Sequence, residues 1–129
     1  MADVYTLGNV GIEYNCLFNY KKDNGGTALN SNGSSITVDS IEKYKSILII
    51  FGILPDGLTN SSQLPMDVIK NNYNNSQFDF SHYYDENYKL FITCGFTNSN
   101  TFVVSSLTLS DSWSQHAKTA GIQYIYGIR

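Results

Sequence analysis

Ser46-Ile47-Leu48-Ile49-Ile50-Phe51-Gly52-Ile53-Leu54 is the stretch on which the fold turns. Apart from Ser46 and Gly52, every position carries a large apolar side chain, so the run has no polar face. A segment of this kind is buried on both sides: it is either a central strand or a strand whose outer face meets another chain. Gly52 marks a bulge or a close backbone approach, and Pro55-Asp56-Gly57 supplies a turn. The run is far shorter than the ~20 apolar residues of a membrane span, so no membrane insertion is expected.

Outward from this run, the chain alternates. Between Ile12 and Tyr20 one face reads Ile12, Tyr14, Cys16, Phe18, Tyr20 and the other Glu13, Asn15, Leu17, Asn19, the pattern of a half-buried strand. It runs into Lys21-Lys22-Asp23-Asn24-Gly25-Gly26, a turn cluster. Ser35–Val38 reads as a short strand. Asp39 and Glu42 have the spacing of a capping box, which predicts one helical turn there. Leu64–Lys70 and Gln77–Phe80 read as weaker strands. Tyr88–Phe96 and Phe102–Leu109 form a hairpin about the turn Thr97-Asn98-Ser99-Asn100. In the closing strand Ile122, Tyr124, Tyr126 and Ile128 are expected to share one face. About eight strands with Gly/Asn/Ser turns and one short helical turn predict an all-β chain, an antiparallel, jelly-roll-like β-sandwich forming a single domain over 1–129.

Only 15% of the 129 residues are charged, while Asn, Ser and Thr make up more than a quarter of the chain. Such a surface suits glycan contact and protein packing better than electrostatic capture. The net charge of −3 leaves no basic footprint for nucleic acid, whose binding rests on neutralised phosphates. Met1-Ala2-Asp3-Val4 lacks the basic and apolar regions of a signal peptide. Cys16 and Cys94 lie in separate strand-like segments and read as buried thiols, with a disulfide open only to neighbouring strands.

Catalytic and cofactor signatures do not emerge. His116 shares Asp111-Ser112-Trp113-Ser114-Gln115-His116 with a Ser and an Asp, but triads converge from distant segments. His82 with Asp85 and Glu86 has metal-binding residue types packed into one short segment, a weak pattern. No phosphate loop, dinucleotide fingerprint or nucleophile elbow occurs, so neither cofactor nor metal is expected and the chain reads as a binding or assembly module rather than an enzyme. Aromatic residues reach 14%, and most fall on apolar strand faces. Tyr83, Tyr84, Trp113 and the adjacent His116 lie instead among Asn, Ser and Asp, in segments read as loops. Rings with polar rims are what sugar stacking uses, so these four are the candidate ligand-binding residues.

The ending Gly121-Ile122-Gln123-Tyr124-Ile125-Tyr126-Gly127-Ile128-Arg129 resembles the closing strand of the receptor-binding tips of phage and prophage tail fibres from Gram-positive hosts. Ile41-Glu42-Lys43-Tyr44-Lys45-Ser46-Ile47-Leu48-Ile49-Ile50 is similar to their turn, tyrosine and apolar strand. The resemblance spans about a third of the chain and carries no ligand motif. It implies a homotrimeric β-sandwich head on a virion tail, made in the bacterial cytoplasm, that recognises a host surface polysaccharide or protein. The chain departs from that pattern in starting at Met1 without a fibrous shaft. The other readings are a structural baseplate or decoration protein and a stand-alone lectin-like carbohydrate-binding protein. Independently of the resemblance, the second apolar face of residues 46–54 calls for a cover that Asn- and Ser-rich loops supply poorly, which predicts a homo-oligomer.

Overall fold

In the computed structural model the alternating runs become nine strands among the described residues, which are 3–7, 12–73 and 77–129, with the side chains at 3–7, 12, 58, 84, 111 and 112 outside the description. They are β1 (Asp3–Leu7), β2 (Ile12–Asn19), β3 (Ser35–Thr37), β4 (Ser46–Leu54), β5 (Gly57–Pro65), β6 (Phe78–Asp85), β7 (Tyr88–Asn98), β8 (Thr101–Leu109) and β9 (Gly121–Ile128). Two short helices, α1 (Tyr20–Asp23) and α2 (Met66–Lys70), interrupt them. The strands form a five-stranded sheet ordered β1-β2-β9-β4-β5 and a four-stranded sheet ordered β3-β8-β7-β6, with every pairing antiparallel. The chain crosses between the sheets after β2, β3, β5 and β8, as a jelly-roll-like sandwich requires.

The core fills the space between the sheets. Ile47, Ile49, Phe51 and Ile53 line the inner side of β4, and Leu90, Ile92, Cys94 and Phe96 that of β7. Phe51 stacks on Phe80 across the gap, with ring centroids 5.1 Å apart. Each fully buried Ile or Leu contributes about 1.5–3 kcal/mol over an exposed position. Gly127 faces this interior opposite Ile47 and Asn15, and a Cβ there would lie 2.5 Å from the ring of Tyr44. The Tyr44 ring therefore takes the place of a β9 side chain, and Asn15 Nδ2 donates to its hydroxyl at 3.2 Å.

Four details differ from the sequence reading. Residues Leu64–Lys70 are not a strand: β5 ends at Pro65 and Met66–Lys70 is helical, burying Met66 and Ile69 three residues apart. Strand β5 itself escapes the pattern because, as a sheet edge, it carries Thr, Asn, Ser and Gln with little burial. The turn at Ile41–Lys43 exists, but Ser40 and not Asp39 is its N-cap, with no side-chain capping bond. Ile122 does not share a face with Tyr124 and Tyr126. Phe51 pairs with Ile122 while Ile50 pairs with Tyr124, so Gln123 is an extra residue in β9 and the phase inverts there. Ile122 thereby enters the core and the tyrosines turn outward.

Ile49 is completely buried, so Ile49→Asp places an unpaired charge in the core at a cost of several kcal/mol. The expected outcome is loss of the cooperative thermal transition seen by circular dichroism. Ser61→Asp, at an exposed position of β5, should melt like the parent chain.

Candidate functional site

Alternation along β6 directs Phe80 and His82 inward, opposite Ile92 and Leu90, and Asp79, Ser81 and Tyr83 outward. Tyr83 is thus a strand residue and not a loop residue, and at 56% exposure it stands on the outer face of the four-stranded sheet. Its hydroxyl donates to Glu86 Oε1 at 2.9 Å, and this carboxylate raises the phenol pKa. Tyr84 lies at the β6 register shift, and its side chain is outside the described residues. Trp113 and His116 sit elsewhere, in a 3-10 turn at Asp111–His116. The Trp113 ring meets Tyr88 at 4.6 Å and His116 at 5.4 Å and packs on the core, closing one end of the sandwich. Tyr83 thus stands on the sheet face, and Trp113 and His116 on the 3-10 turn beside Tyr88.

His82, Asp85 and Glu86 point apart. His82 faces inward, Asp85 accepts the Asn87 N–H at 2.8 Å, and Glu86 pairs with Tyr83 and with Lys89 Nζ at 3.8 Å. Among the described residues no cluster of three His, Cys, Asp or Glu side chains has metal-binding geometry. Cys16 and Cys94 form no disulfide: both are buried, on different sheets, and burial pushes the Cys94 thiol far up.

Tyr83 does have a neighbour that sequence reading missed. Phe91 on β7 is 44% exposed and pairs with Ser81, while Tyr83 pairs with Lys89, so the two rings are diagonal neighbours on the outer face. Beside Phe91 lies a shallow depression of about 360 Å³ walled by Asp79, Ser81, Thr93, Ser106 and Thr108. Thr93 donates to Asp79 Oδ1 at 2.7 Å, which fixes that carboxylate. Two exposed ring faces next to hydroxyls and an acceptor can stack on a sugar ring and bind its hydroxyls. The signal for Phe91 was in the alternation: Leu90, Ile92 and Cys94 are the apolar phase, so Phe91 is an aromatic on the polar phase.

A second concavity, about 630 Å³, opens where β2 and β3 diverge. Leu17, Phe18, Ile36 and Val38 lie along it with Lys22, Asp23 and Asp39. The outer face of the five-stranded sheet carries a different feature. Tyr124 and Tyr126 stack at 6.0 Å, Tyr14 meets Tyr126 edge-on at 6.4 Å, and Tyr20 meets Tyr124 edge-on at 5.5 Å. At one end Tyr124 donates to Asp56 Oδ1 at 2.6 Å, and Lys21 binds the other carboxylate oxygen. Lys21 and then Tyr124 hold the Asp56 carboxyl below its usual range; burial and then Asp56 push the Tyr124 phenol well up.

Neither a protein-family model, nor a curated protein, nor a solved structure matches this chain.

The Asp56 cluster makes stability pH-dependent at both limits. A depressed carboxyl contributes above its unfolded value near pH 4 and loses that contribution as pH falls; a raised phenol keeps its proton while the unfolded chain loses it above about pH 10, so stability falls there. Asp56 is part-exposed, so the acid effect is small. Chemical denaturation of Asp56→Asn should show a shallower acid decline, and Tyr124→Phe a shallower alkaline one, than the parent chain.

Proposed function

We propose that this chain is a recognition module that binds a surface polysaccharide through the outer face of its four-stranded sheet. One observation carries the reading: Tyr83 and Phe91, two of the three most exposed large apolar side chains among the described residues, are diagonal neighbours beside a hydroxyl-lined depression. Exposed aromatic pairs on a rigid sheet present large stacking area at little entropic cost, since the strands already fix both backbones. The depression is lined by hydroxyls and the Asp79 carboxylate, and beside Tyr83 the Glu86 carboxylate is paired with Lys89. A neutral, hydroxyl-rich glycan fits this chemistry better than a phosphate-rich polymer does.

The setting we propose is a phage-type tail-fibre tip that adsorbs to a bacterial host, acting by binding and not by catalysis. The resemblance of residues 121–129 and 41–50 to such tips supports the setting; the sheet face supports the recognition. A stand-alone lectin would use the same face, so the glycan reading does not depend on the particle.

Titration calorimetry of the intact protein against purified cell-wall polysaccharide from Gram-positive bacteria tests the reading. Binding is expected, and Phe91→Ala or Tyr83→Ala should each weaken it about tenfold, or ~1.4 kcal/mol, with unchanged melting. Binding that is indifferent to both substitutions would move the site away from this face, and no binding to any such polysaccharide would remove the glycan.

A further inference from the structure

Asn-Gly occurs twice in the chain, at Asn24-Gly25 and Asn32-Gly33, and both asparagines are exposed. An asparagine followed by glycine is prone to lose its amide to the backbone, because no side chain shields the glycine nitrogen. The fold treats the two pairs differently. At Asn32-Gly33 the nucleophile is occupied, since the Gly33 N–H donates to the Val104 carbonyl at 2.8 Å. The side chain is held as well: Asn32 Oδ1 accepts the Leu107 N–H at 2.8 Å. That bond polarises the amide, but it also ties it to β8, and opening either bond strips a β8 backbone group of a partner. At Asn24-Gly25 the Gly25 N–H donates to no acceptor among the described residues, although Asn24 and Gly26 on either side both donate to the Tyr20 carbonyl, at 3.2 and 2.9 Å. Apart from its chain neighbours, nothing lies within 4 Å of where a Gly25 Cβ would be. The Asn24 side chain is bonded only within its own turn, Nδ2 donating to the Thr27 carbonyl at 2.7 Å, and the Asn24 carbonyl accepts the Thr27 N–H at 3.0 Å. Both flanks are anchored independently. Asp23 Oδ2 accepts the Asn19 N–H at 2.9 Å, and the N–H groups of Ala28 and Leu29 donate to Lys118 and Ile122, each at 2.9 Å. The turn at 24–27 therefore opens locally, without disturbing what precedes or follows it.

We propose that Asn24 is a site of spontaneous modification, converted by water to aspartate and isoaspartate, and that the fold protects Asn32 from the same fate. The Gly25 nitrogen attacks Cγ of Asn24 and a C–N bond forms. The side-chain nitrogen leaves as ammonia, taking the Gly25 amide proton with it, and a cyclic imide remains. Water then adds to either ring carbonyl. Opening at the former side-chain carbonyl gives aspartate; opening at the backbone carbonyl gives isoaspartate, with the chain rerouted through the side-chain carbon. No group is oxidised or reduced, and water is the sole co-reactant. Closure requires rotation about the Asn24 Cα–C bond from its ψ of 28°, which parts the bond from Thr27. The product adds one negative charge to the formal −3 and sets it beside Asp23 on the wall of the concavity between β2 and β3, which Asp39 also lines. It also puts an acceptor where Nδ2 had donated to the Thr27 carbonyl, which favours the opened turn. The proposal stands apart from the recognition reading, whose residues lie on β6 and β7.

Incubation of the intact, folded protein in mildly alkaline buffer below its melting temperature, followed by mass spectrometry, tests the site. The tryptic peptide 23–43 holds both asparagines, so its fragmentation reads the two conversions from one sample. Asn24 is expected to convert, with the isoaspartate detected by an isoaspartyl methyltransferase. Asn32 should lag it about tenfold, the ~1.4 kcal/mol of opening its two extra bonds. In denaturant both should convert alike, because the dipeptide is the same and the bonds to β8 are gone. Asn24→Gln should remove the acidic species and the methyltransferase signal with an unchanged circular dichroism spectrum, since closure through the longer side chain is slow. Folded protein that converts Asn32 as fast as Asn24 overturns the proposal. So does folded protein that keeps Asn24 intact over a period in which the denatured chain converts it.

Discussion

Strand β9 must pair on both sides at once, with β2 from near the start of the chain and with β4 from its middle. The last residues are therefore the centre of the five-stranded sheet, and neither flanking strand has its inner neighbour until they arrive. Contacts this distant in sequence have to overcome loop-closure entropy before they return any stabilisation, which makes the sheet a late and cooperative product of folding. Gly127 is a tight point of that closure. Its missing side chain leaves room for the Tyr44 ring, so a residue from the β3–β4 connection locks the junction of β2, β4 and β9 from inside. Gly121 serves a similar need at the other end of β9. Its φ of 148° and the carbonyl of Leu29, which lies 2.3 Å from where a Cβ would be, exclude any other residue without rearrangement.

Between those glycines the β9 bulge sets what each side of the sheet presents. Gln123 is fully buried, and its Nε2 donates to the carbonyls of Leu54 at 3.0 Å and Thr119 at 2.9 Å. These bonds tie the end of β4 to the segment entering β9, and Thr119 adds a bond to the Ile53 carbonyl at 2.7 Å. The extra residue shifts the alternation by one, which sends Ile122 and Ile125 to the core and Tyr124 and Tyr126 to the outside. One inserted residue thus provides both the aliphatic core beneath β9 and the tyrosine strip above it.

The two outer faces differ in chemistry because their strands differ in phase. On the four-stranded sheet the outward phase is Ser, Thr, Asp and Lys punctuated by Tyr83 and Phe91, a wet surface with two isolated rings. On the five-stranded sheet Tyr14, Tyr124, Tyr126, Leu48 and Ile50 face outward along β2, β9 and β4, and Thr59, Ser61 and Gln63 along β5. A hydroxyl-rich face with two exposed rings and a tyrosine-bearing face lie on opposite sides of one core.

Most strands were legible in the sequence, because period-2 alternation in Ile12–Tyr20, Tyr88–Phe96 and Phe102–Leu109, and the unbroken apolar run of β4, are local consequences of a half-buried or fully buried strand. The all-β class follows from those segments alone. Where burial is slight the signal fails: β5 is an edge strand of polar residues, and the Met66/Ile69 pair that makes α2 helical is too short to establish a period. Of the candidate site, Tyr83 was legible as an aromatic among polar residues, but its setting in a strand was not. Phe91 could have been found from its phase in β7, whereas its place beside Tyr83 and above Ser81, Asp79 and Thr93 depends on the β6–β7 register. The sequence by itself determined which residues seek burial and with what period. Tertiary structure alone decided which strands became neighbours, that Gln123 inverts the phase of β9, and that Trp113 packs between Tyr88 and His116. Those outcomes rest on pairings between residues far apart in the chain, which local periodicity does not encode.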